Sequence, residues 1–360
     1  GLDEAAIADR LKRCVTATAG ASGVLLLHVA ARCGWLTCVH MLLHELGADI
    51  DARSAHGCSA LIMAAEEGNL GVVQELANLS ADVNVETTGS GTTALHQASR
   101  YGHEDVVSVL LSHGADPTKR LRDGRTPLYL SAHAGYESII QLLLDHIGEG
   151  RAEGEARAAV LKQYVDLPRE EGEDEGTTPL MQAATYGHTE ALQLLIESRA
   201  SVDLQSADGD TALLLACADG HEQPAKMLLQ ANALMDQRGA NGQTVLMTAC
   251  RYGHLSLVRL LLALGAKADD TDHSDTDALS HLCEYEQEDD DEMLALLLNA
   301  KQHAPKIDAV RSSDGSTPLH IAADTEHDEA TRQLLKAKAD PNRARKVDGF
   351  TPMMIACSNG

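Results

Sequence analysis

The chain has 360 residues and a net charge of −25, so it lacks the basic surface that a general nucleic-acid binder needs. No apolar run approaches the roughly 18 residues of a membrane-spanning helix. Only 2% of the residues are aromatic although 44% are hydrophobic, so the core must consist mainly of Ala, Leu and Val. Closely packed helices with small residues between them suit that composition.

Residues 1–20 come first, and residues 4–15 within them favour a single amphipathic helix. Its apolar positions are Ala5, Ala8, Leu11 and Val15, which recur at helical spacing. We predict that this segment is an N-terminal capping helix or the remnant of a preceding repeat.

From residue 21 onward one motif recurs along the chain. Each copy has a Thr-x-Leu start, a pair of small residues, a turn glycine and a second apolar stripe, as in Thr178-Pro179-Leu180, Ala183-Ala184 and Gly187. The Thr suits a helix cap, Pro suits the first helical turn and Gly ends the helix. Seven of the nine intervals between copies are 33 or 34 residues, the copies beginning at positions 25, 59, 93, 126, 178, 211, 244, 277, 317 and 351.

This motif resembles the ankyrin repeat, which has the same period and the signature found at Thr317-Pro318-Leu319-His320. The resemblance implies an all-α fold, an ankyrin-repeat solenoid of antiparallel helix pairs joined by short β-hairpin loops. We predict repeats 1–4 over residues 21–147 and repeats 5–10 over residues 176–360, with the last repeat incomplete. Stacking is also required physically, because one helix pair cannot bury its own apolar face.

An interval of 52 residues separates the fourth and fifth copies, which predicts an acidic helical insertion at residues 148–175. Residues 153–167 favour a helix that Pro168 ends. An acidic run follows. The insertion is either a surface excursion docked on its own repeat or a lid or partner contact, because long insertions are often functional. Its candidate docking residues are Glu170, Glu171, Glu173, Asp174 and Glu175.

The eighth copy replaces the turn glycine with the acidic run of residues 284–292, whose charge is −7. A solvated loop and a docking site for a basic peptide both fit this run. The run lacks the spaced Asp, Asn and Gly of a calcium-binding loop. Its candidate docking residues are Glu288, Asp289, Asp290, Asp291 and Glu292.

The cysteines and histidines fall mainly at repeat positions. Cys217, Cys250, Cys283 and Cys357 share the small-residue position, and neighbouring helices are too far apart there for a disulfide. We expect these thiols to be buried and reduced, which favours the cytoplasm or the nucleus. The sequence contains no catalytic motif that we recognise, and we predict no enzyme activity, no metal and no cofactor.

The candidate binding residues lie just before the turn glycines. In the ankyrin family these positions face the concave surface, where partners usually bind. Tyr and Arg are the residue types most enriched at interface hot spots, although local packing could also explain aromatics here. Phe350, at a hairpin tip, is a further candidate, and Asp123, Asp208 and Asp348 at other tips could contact a cationic partner. The predicted partner-binding residues are Arg100, Tyr101, Tyr186, Arg251, Tyr252, Glu284, Tyr285 and Phe350.

These features predict a non-catalytic protein-interaction scaffold or adaptor whose partner has a basic surface. Nucleic-acid binding and direct membrane insertion are not expected, and membership of a larger complex is an open alternative. The chain could equally be the regulatory ankyrin region of a larger protein, such as a ubiquitin-ligase substrate receptor or the cytosolic part of an ion channel. A third alternative is a structural subunit of a large assembly.

Overall fold

The computed structural model describes residues 23–148, 155–284, 290–300 and 303–359, and the predicted helix of residues 1–20 lies outside them. The described residues form 20 α-helices in two compact units. One unit comprises Gly1–Ala183 with Glu190–Ser201, and the other comprises Ala184–Thr189 with Val202–Gly360. Each unit is an all-α stack of helix pairs, as the repeat predicts.

Apart from α9, which lies between repeats 4 and 5, the helices alternate between the first and second helix of each repeat. Those before residue 200 are α1 Leu26–Arg32, α2 Leu36–His44, α3 Ala60–Glu66, α4 Leu70–Asn78, α5 Ala94–Tyr101, α6 Glu104–Ser112, α7 Pro127–Ala134, α8 Glu137–Gly148, α9 Glu155–Val165, α10 Pro179–Thr185 and α11 Thr189–Glu197. The remaining helices are α12 Ala212–Ala218, α13 Glu222–Gln230, α14 Val245–Arg251, α15 Leu255–Ala263, α16 Ala278–Glu284, α17 Asp290–Leu298, α18 Pro318–Asp324, α19 Asp328–Lys336 and α20 Pro352–Asn359.

Most of the first helices begin at side-chain caps, as the Thr-x-Leu motif predicts, whereas α1 follows Leu25, which makes no such cap. The Thr126 hydroxyl accepts a hydrogen bond of 3.1 Å from the Tyr129 amide, and the Thr211 hydroxyl accepts one of 3.2 Å from the Leu214 amide. In the eighth repeat the Asp277 carboxylate takes this role and accepts from the Ser280 amide at 2.8 Å. Each cap satisfies an amide that the helix itself leaves unpaired.

The turn between the two helices is held by a contact with the next repeat. Gly220 has a φ of +75°, and a Cβ built there would lie 2.6 Å from the His254 ring. The Nε2–H group of His254 donates to the Ala218 carbonyl at 2.9 Å, which satisfies a carbonyl at the end of α12. Gly68 and His103 repeat the same contact in the first unit. The glycine is therefore required both for its backbone conformation and for the space it leaves.

The small residues of the first helices are buried where neighbouring first helices pack. Cys217, Cys250 and Cys283 are buried and free, as predicted, and burial raises the pKa of the Cys217 thiol to about 12. Cys357 is free but exposed, contrary to the expectation of a buried column. It lies on α20, and no later described helix packs against that helix.

The hairpin loops are tight turns with little strand structure. The Leu121 amide donates to the Arg125 carbonyl at 2.8 Å, and the Ser206 amide donates to the Asp210 carbonyl at 2.9 Å. Among the described residues, one isolated antiparallel β-bridge occurs, between Thr271 and Asp277. Successive loop tips are joined by backbone hydrogen bonds, such as the 2.8 Å bond from the Ala240 amide to the Asp208 carbonyl, so the loops brace one another.

The segment between repeats 4 and 5 contains the helix α9, which is anchored to the first unit by Tyr164. This side chain is buried, and its hydroxyl donates to the Pro117 carbonyl at 2.9 Å. Just after α9 the Asp166 carboxylate accepts from the Ser201 amide at 2.8 Å. The same inter-repeat bond joins Asp203 to the Leu234 amide at 2.9 Å. Asp166 therefore occupies the repeat position of Asp203, and the regular pattern of contacts between repeats resumes there.

We predict that Gly220→Ala destabilises the protein more than Gly265→Ala. Both glycines have positive φ, but a Cβ at Gly265 meets no atom within 4 Å, whereas one at Gly220 strikes the His254 ring. The control substitution should cost about 1 kcal/mol for strain alone, and the Gly220 substitution should cost roughly 1–3 kcal/mol more. Urea unfolding followed by circular dichroism measures the difference, and equal effects would contradict the ring-contact argument.

Candidate protein-binding surface

The second unit contains a cleft of about 380 Å³ between the hairpin loops and the first helices of repeats 6 and 7. Helices α12 and α14 form its floor, and the loops that precede them form one wall. The residues that line it are Asp208, Asp210, Leu214, Leu215, Ala218, Gly239, Ala240, Asn241, Gln243, Thr248, Arg251 and Tyr252.

Tyr252 forms the aromatic wall of this cleft. It directly follows α14, and 49% of the residue is exposed. Its ring is stacked on His254 with centroids 6.5 Å apart, and the Arg251 guanidinium lies 5.8 Å from its centroid. His254 is itself held by the Ala218 carbonyl. The ring is therefore preorganised, which lowers the entropy that binding a partner must overcome.

Asp208 and Asp210 place two carboxylates in the same cleft. Asp210 lies against the Gly239 backbone, where a Cβ would come within 2.9 Å of its Oδ1 atom. Burial raises the pKa of Asp210, and the charge of Asp208 raises it further. Within the described ranges, neither carboxylate has an ion-pair partner. The cleft therefore holds two carboxylates and one guanidinium, that of Arg251, and its net negative charge can attract a cation.

The other predicted tyrosines show the same local arrangement. Tyr186 follows α10, is 50% exposed and stacks on His188 with centroids 6.2 Å apart. In the first unit Tyr101 ends α5, lies 6.5 Å from the His103 ring and carries the Arg100 guanidinium 5.6 Å from its centroid. Tyr285 lies outside the described residues. The sequence pattern identified these tyrosines but not the histidine beneath each described ring.

Glu284 belongs to an internal polar network. Its carboxylate accepts from Arg311 at 2.7 Å and lies 3.5 Å from the Nδ1 atom of His281. The His281 hydrogen bond and then its charge help to hold the pKa of Glu284 below its usual value. The other ring nitrogen of His281 lies 3.1 Å from the Asp272 carboxylate. Glu284 therefore links α16 to the next hairpin loop.

Phe350 is 44% exposed in the turn before α20. Its carbonyl accepts from the Arg345 amide at 2.8 Å and from the His320 ring at 3.2 Å. The backbone of Phe350 is therefore held in place, while its ring remains partly exposed.

The acidic run before repeat 5 forms an enlarged hairpin loop. The Arg169 amide donates to the Thr177 carbonyl at 2.9 Å, and the Glu170 amide donates to the Asp123 carbonyl at 2.8 Å. Glu170 pairs with Arg120 at 2.8 Å, and Asp174 pairs with Arg169 at 2.7 Å. The candidate docking residues of this run are all exposed: Glu170, Glu171, Glu173, Asp174 and Glu175.

In the second acidic run, Asp290 is buried, contrary to the expectation that it is an exposed docking residue. Asp290 is only 2% exposed, and its Oδ2 atom lies 3.4 Å from the buried Nε2 atom of His327. It is buried because it begins α17, where other repeats have the turn histidine. Asp291 and Glu292 are exposed, and Glu292 pairs with Arg259. Glu288 and Asp289 lie outside the described residues.

Asp210 is a cleft residue that the repeat motif by itself does not single out. The available signal was its place directly before the helix cap Thr211, where an acidic side chain is close to the first helix of its repeat. Nothing in the repeat pattern shows that the Gly239 backbone would cover it.

We predict that Asp210→Asn stabilises the free protein at pH 7. Because folding raises the pKa of Asp210, the ionised carboxylate costs folding free energy above its unfolded pKa, and this cost disappears as pH falls through the raised value. The unfolding midpoint should rise at pH 7, and the gain should shrink in acid. Asp236→Asn, at an exposed position, is the matched control. A gain that persists undiminished in acid would refute this account.

A family model described as "Ankyrin repeats (3 copies)" matches the chain in overlapping segments. Together these matches run from residue 9 to residue 360, which is far more than half of the chain. The matched segments are 9–87, 27–121, 73–158, 117–206, 153–238, 180–274, 225–308 and 279–360.

Curated relatives match shorter stretches. The 2-5A-dependent ribonuclease of Mus musculus is 44% identical over 66 residues, 18% of this chain and 9% of that protein. The probable E3 ubiquitin-protein ligase XBOS33 of Oryza sativa subsp. japonica is 32% identical over 176 residues, 49% of this chain and 32% of that protein. The B-cell lymphoma 3 protein homolog of Mus musculus is 44% identical over 95 residues, 26% of this chain and 21% of that protein. The chain thus spans at most about a third of these three relatives.

A lipid bilayer sets a minimum length and apolarity for any helix that crosses it. None of the described helices is both long enough and apolar enough to do so.

Proposed function

Because the chain belongs to the ankyrin repeat family, whose repeats typically mediate protein–protein interactions, we propose that it is a non-catalytic scaffold or adaptor. We assign partner binding to the cleft of repeats 6 and 7 and to the exposed tyrosines Tyr101 and Tyr186. The unpaired thiols of Cys217 and Cys250 are consistent with a reducing compartment, the cytoplasm or the nucleus.

The observation that carries this proposal is the pair of carboxylates beside Tyr252. Asp208 and Asp210 lack ion-pair partners among the described residues, and a Lys or Arg side chain entering the cleft would supply one. The same side chain could lie over the half-exposed Tyr252 ring, where a cation is attracted to the aromatic face. The preferred partner segment is therefore basic, which suits a chain of net charge −25.

A catalytic role has weaker support from the same geometry. The residues that line the cleft include no Cys or His, and the Thr248 hydroxyl donates to the Thr244 carbonyl rather than to a base. Two carboxylates whose charges repel each other are better suited to binding a cation than to activating a nucleophile.

The alternative function is that of a regulatory ankyrin region within a larger protein. The likeness to the probable E3 ubiquitin-protein ligase favours it, because this chain corresponds to only 32% of that relative. On this alternative the cleft would recruit a substrate for a domain elsewhere in the protein. Sequencing the full-length transcript distinguishes the two, since an adaptor has no catalytic or channel domain attached.

We predict that Tyr186→Ala combined with Tyr252→Ala weakens partner binding without lowering the unfolding midpoint. Both rings are half exposed, so removing them takes away contact surface but little core packing. Loss of one hot-spot tyrosine costs about 2 kcal/mol, roughly a thirtyfold loss of affinity. Leu264→Ala is the matched control, because Leu264 is 50% exposed in the same unit. Unchanged affinity in the double variant would exclude the tyrosines from the binding surface.

We further predict that peptides selected from a random library by the full chain are enriched in Lys and Arg, and that their affinity falls as salt rises. Salt screens the attraction between exposed charges. Replacing Asp208 and Asp210 with Asn should weaken binding and flatten its salt dependence, whereas Asp236→Asn should change neither. Selection of neutral or acidic peptides would contradict the proposed partner class.

A further inference from the structure

Three potential metal ligands meet on the second helices of the first two repeats, and none of them is a lining residue of the cleft. His40 and His44 lie four residues apart on α2, and their ring centroids are 4.2 Å apart. Glu75, on α4, has its Oε1 atom 3.2 Å from the Nε2 atom of His44. One ligand atom from each residue lies within 4.8 Å of the other two. Among the described residues, these three form the one cluster of at least three His, Cys, Asp or Glu side chains close enough to share a metal ion.

We propose that His40, His44 and Glu75 form a binding site for Zn²⁺. Two imidazole nitrogens and one carboxylate oxygen are a donor set that zinc uses, whereas Mg²⁺ and Ca²⁺ prefer oxygen donors alone. Residues four apart on a helix present their side chains on one face, so the two rings can reach the same ion. Three protein ligands leave one position of a tetrahedral ion for water.

The required movements are small. Bonds of about 2.0–2.1 Å in tetrahedral geometry place ligand atoms roughly 3.3 Å apart. The ligand atoms lie within 4.8 Å of one another, so side-chain rotations that bring them about 1.5 Å closer together would suffice. The side chains are free to rotate, because those of His44 and Glu75 are 40% and 26% exposed and His40 is also exposed.

A surface ion pair between His44 and Glu75 explains only part of this arrangement. It leaves the ring of His40, which is tilted against that of His44, without a role, and exposed ion pairs contribute little to stability. A bound Zn²⁺ uses all three side chains and joins α2 to α4. It would therefore hold the first repeat against the second.

The test is titration of the tag-free full chain with Zn²⁺ alone by calorimetry, after accessible thiols such as that of Cys33 have been alkylated. We expect one equivalent of zinc to bind at pH 7.4. His40→Gln and His44→Gln should each weaken this binding at least about tenfold, and Glu75→Gln should weaken it several-fold. His56→Gln, at an exposed histidine on a hairpin loop, is the matched control and should leave the affinity unchanged.

Two further readouts separate a built site from adventitious binding. Zinc should slow amide hydrogen exchange in residues 36–44 and 70–78, and the His40 variant should lose that protection. Affinity should fall as the solution is acidified, because an imidazole must be neutral to bind a metal. The proposal is overturned if no zinc binds, if the His40 and His44 variants bind it as well as the parent chain, or if His56→Gln reduces binding equally.

Discussion

The contact between a turn glycine and the aromatic ring of the following repeat is the constraint on which this structure depends. At Gly220 the ring of His254 fills the space that a Cβ would occupy, and its Nε2–H group satisfies the Ala218 carbonyl. One side chain thereby caps the helix of its neighbour and sets the distance between two repeats. The helix pairs have no packed core of their own, so such neighbour contacts give each unit its cooperativity.

The same contact explains how the eighth repeat departs from the others. Without a turn glycine, α16 is followed by a longer connection, and Asp290 begins α17 where a histidine is usual. His327 of the next repeat then pairs with the Asp290 carboxylate instead of a helix-end carbonyl. Ionic contacts of Glu284, His281 and Arg311 surround this region. The interface between these repeats remains closed, but the His327 imidazole now faces a buried carboxylate instead of a backbone carbonyl.

The stack also determines which side chains remain available to ligands. The turn histidine is committed to its neighbour, and the tyrosine before the glycine is stacked on it but half exposed, as at Tyr252. Binding surface therefore arises from positions that the stack does not use. Asp208 and Asp210 occupy such positions in the cleft, and His40 with His44 occupies them on the outer face of α2. The two proposed sites rest on different helices and can be tested separately.

The sequence alone determined the repeat and the helix boundaries near each motif, because caps such as Thr211 and turn glycines such as Gly220 act over three or four residues. It also placed Tyr186 and Tyr252 at exposed positions, since their spacing from the glycine is local. The tertiary structure decided everything that depends on residues about 30 apart. The cover that Gly239 gives Asp210, the burial of Asp290 by His327, and the approach of Glu75 to His44 all arise from stacking one repeat on the next, and no local pattern encodes those distances.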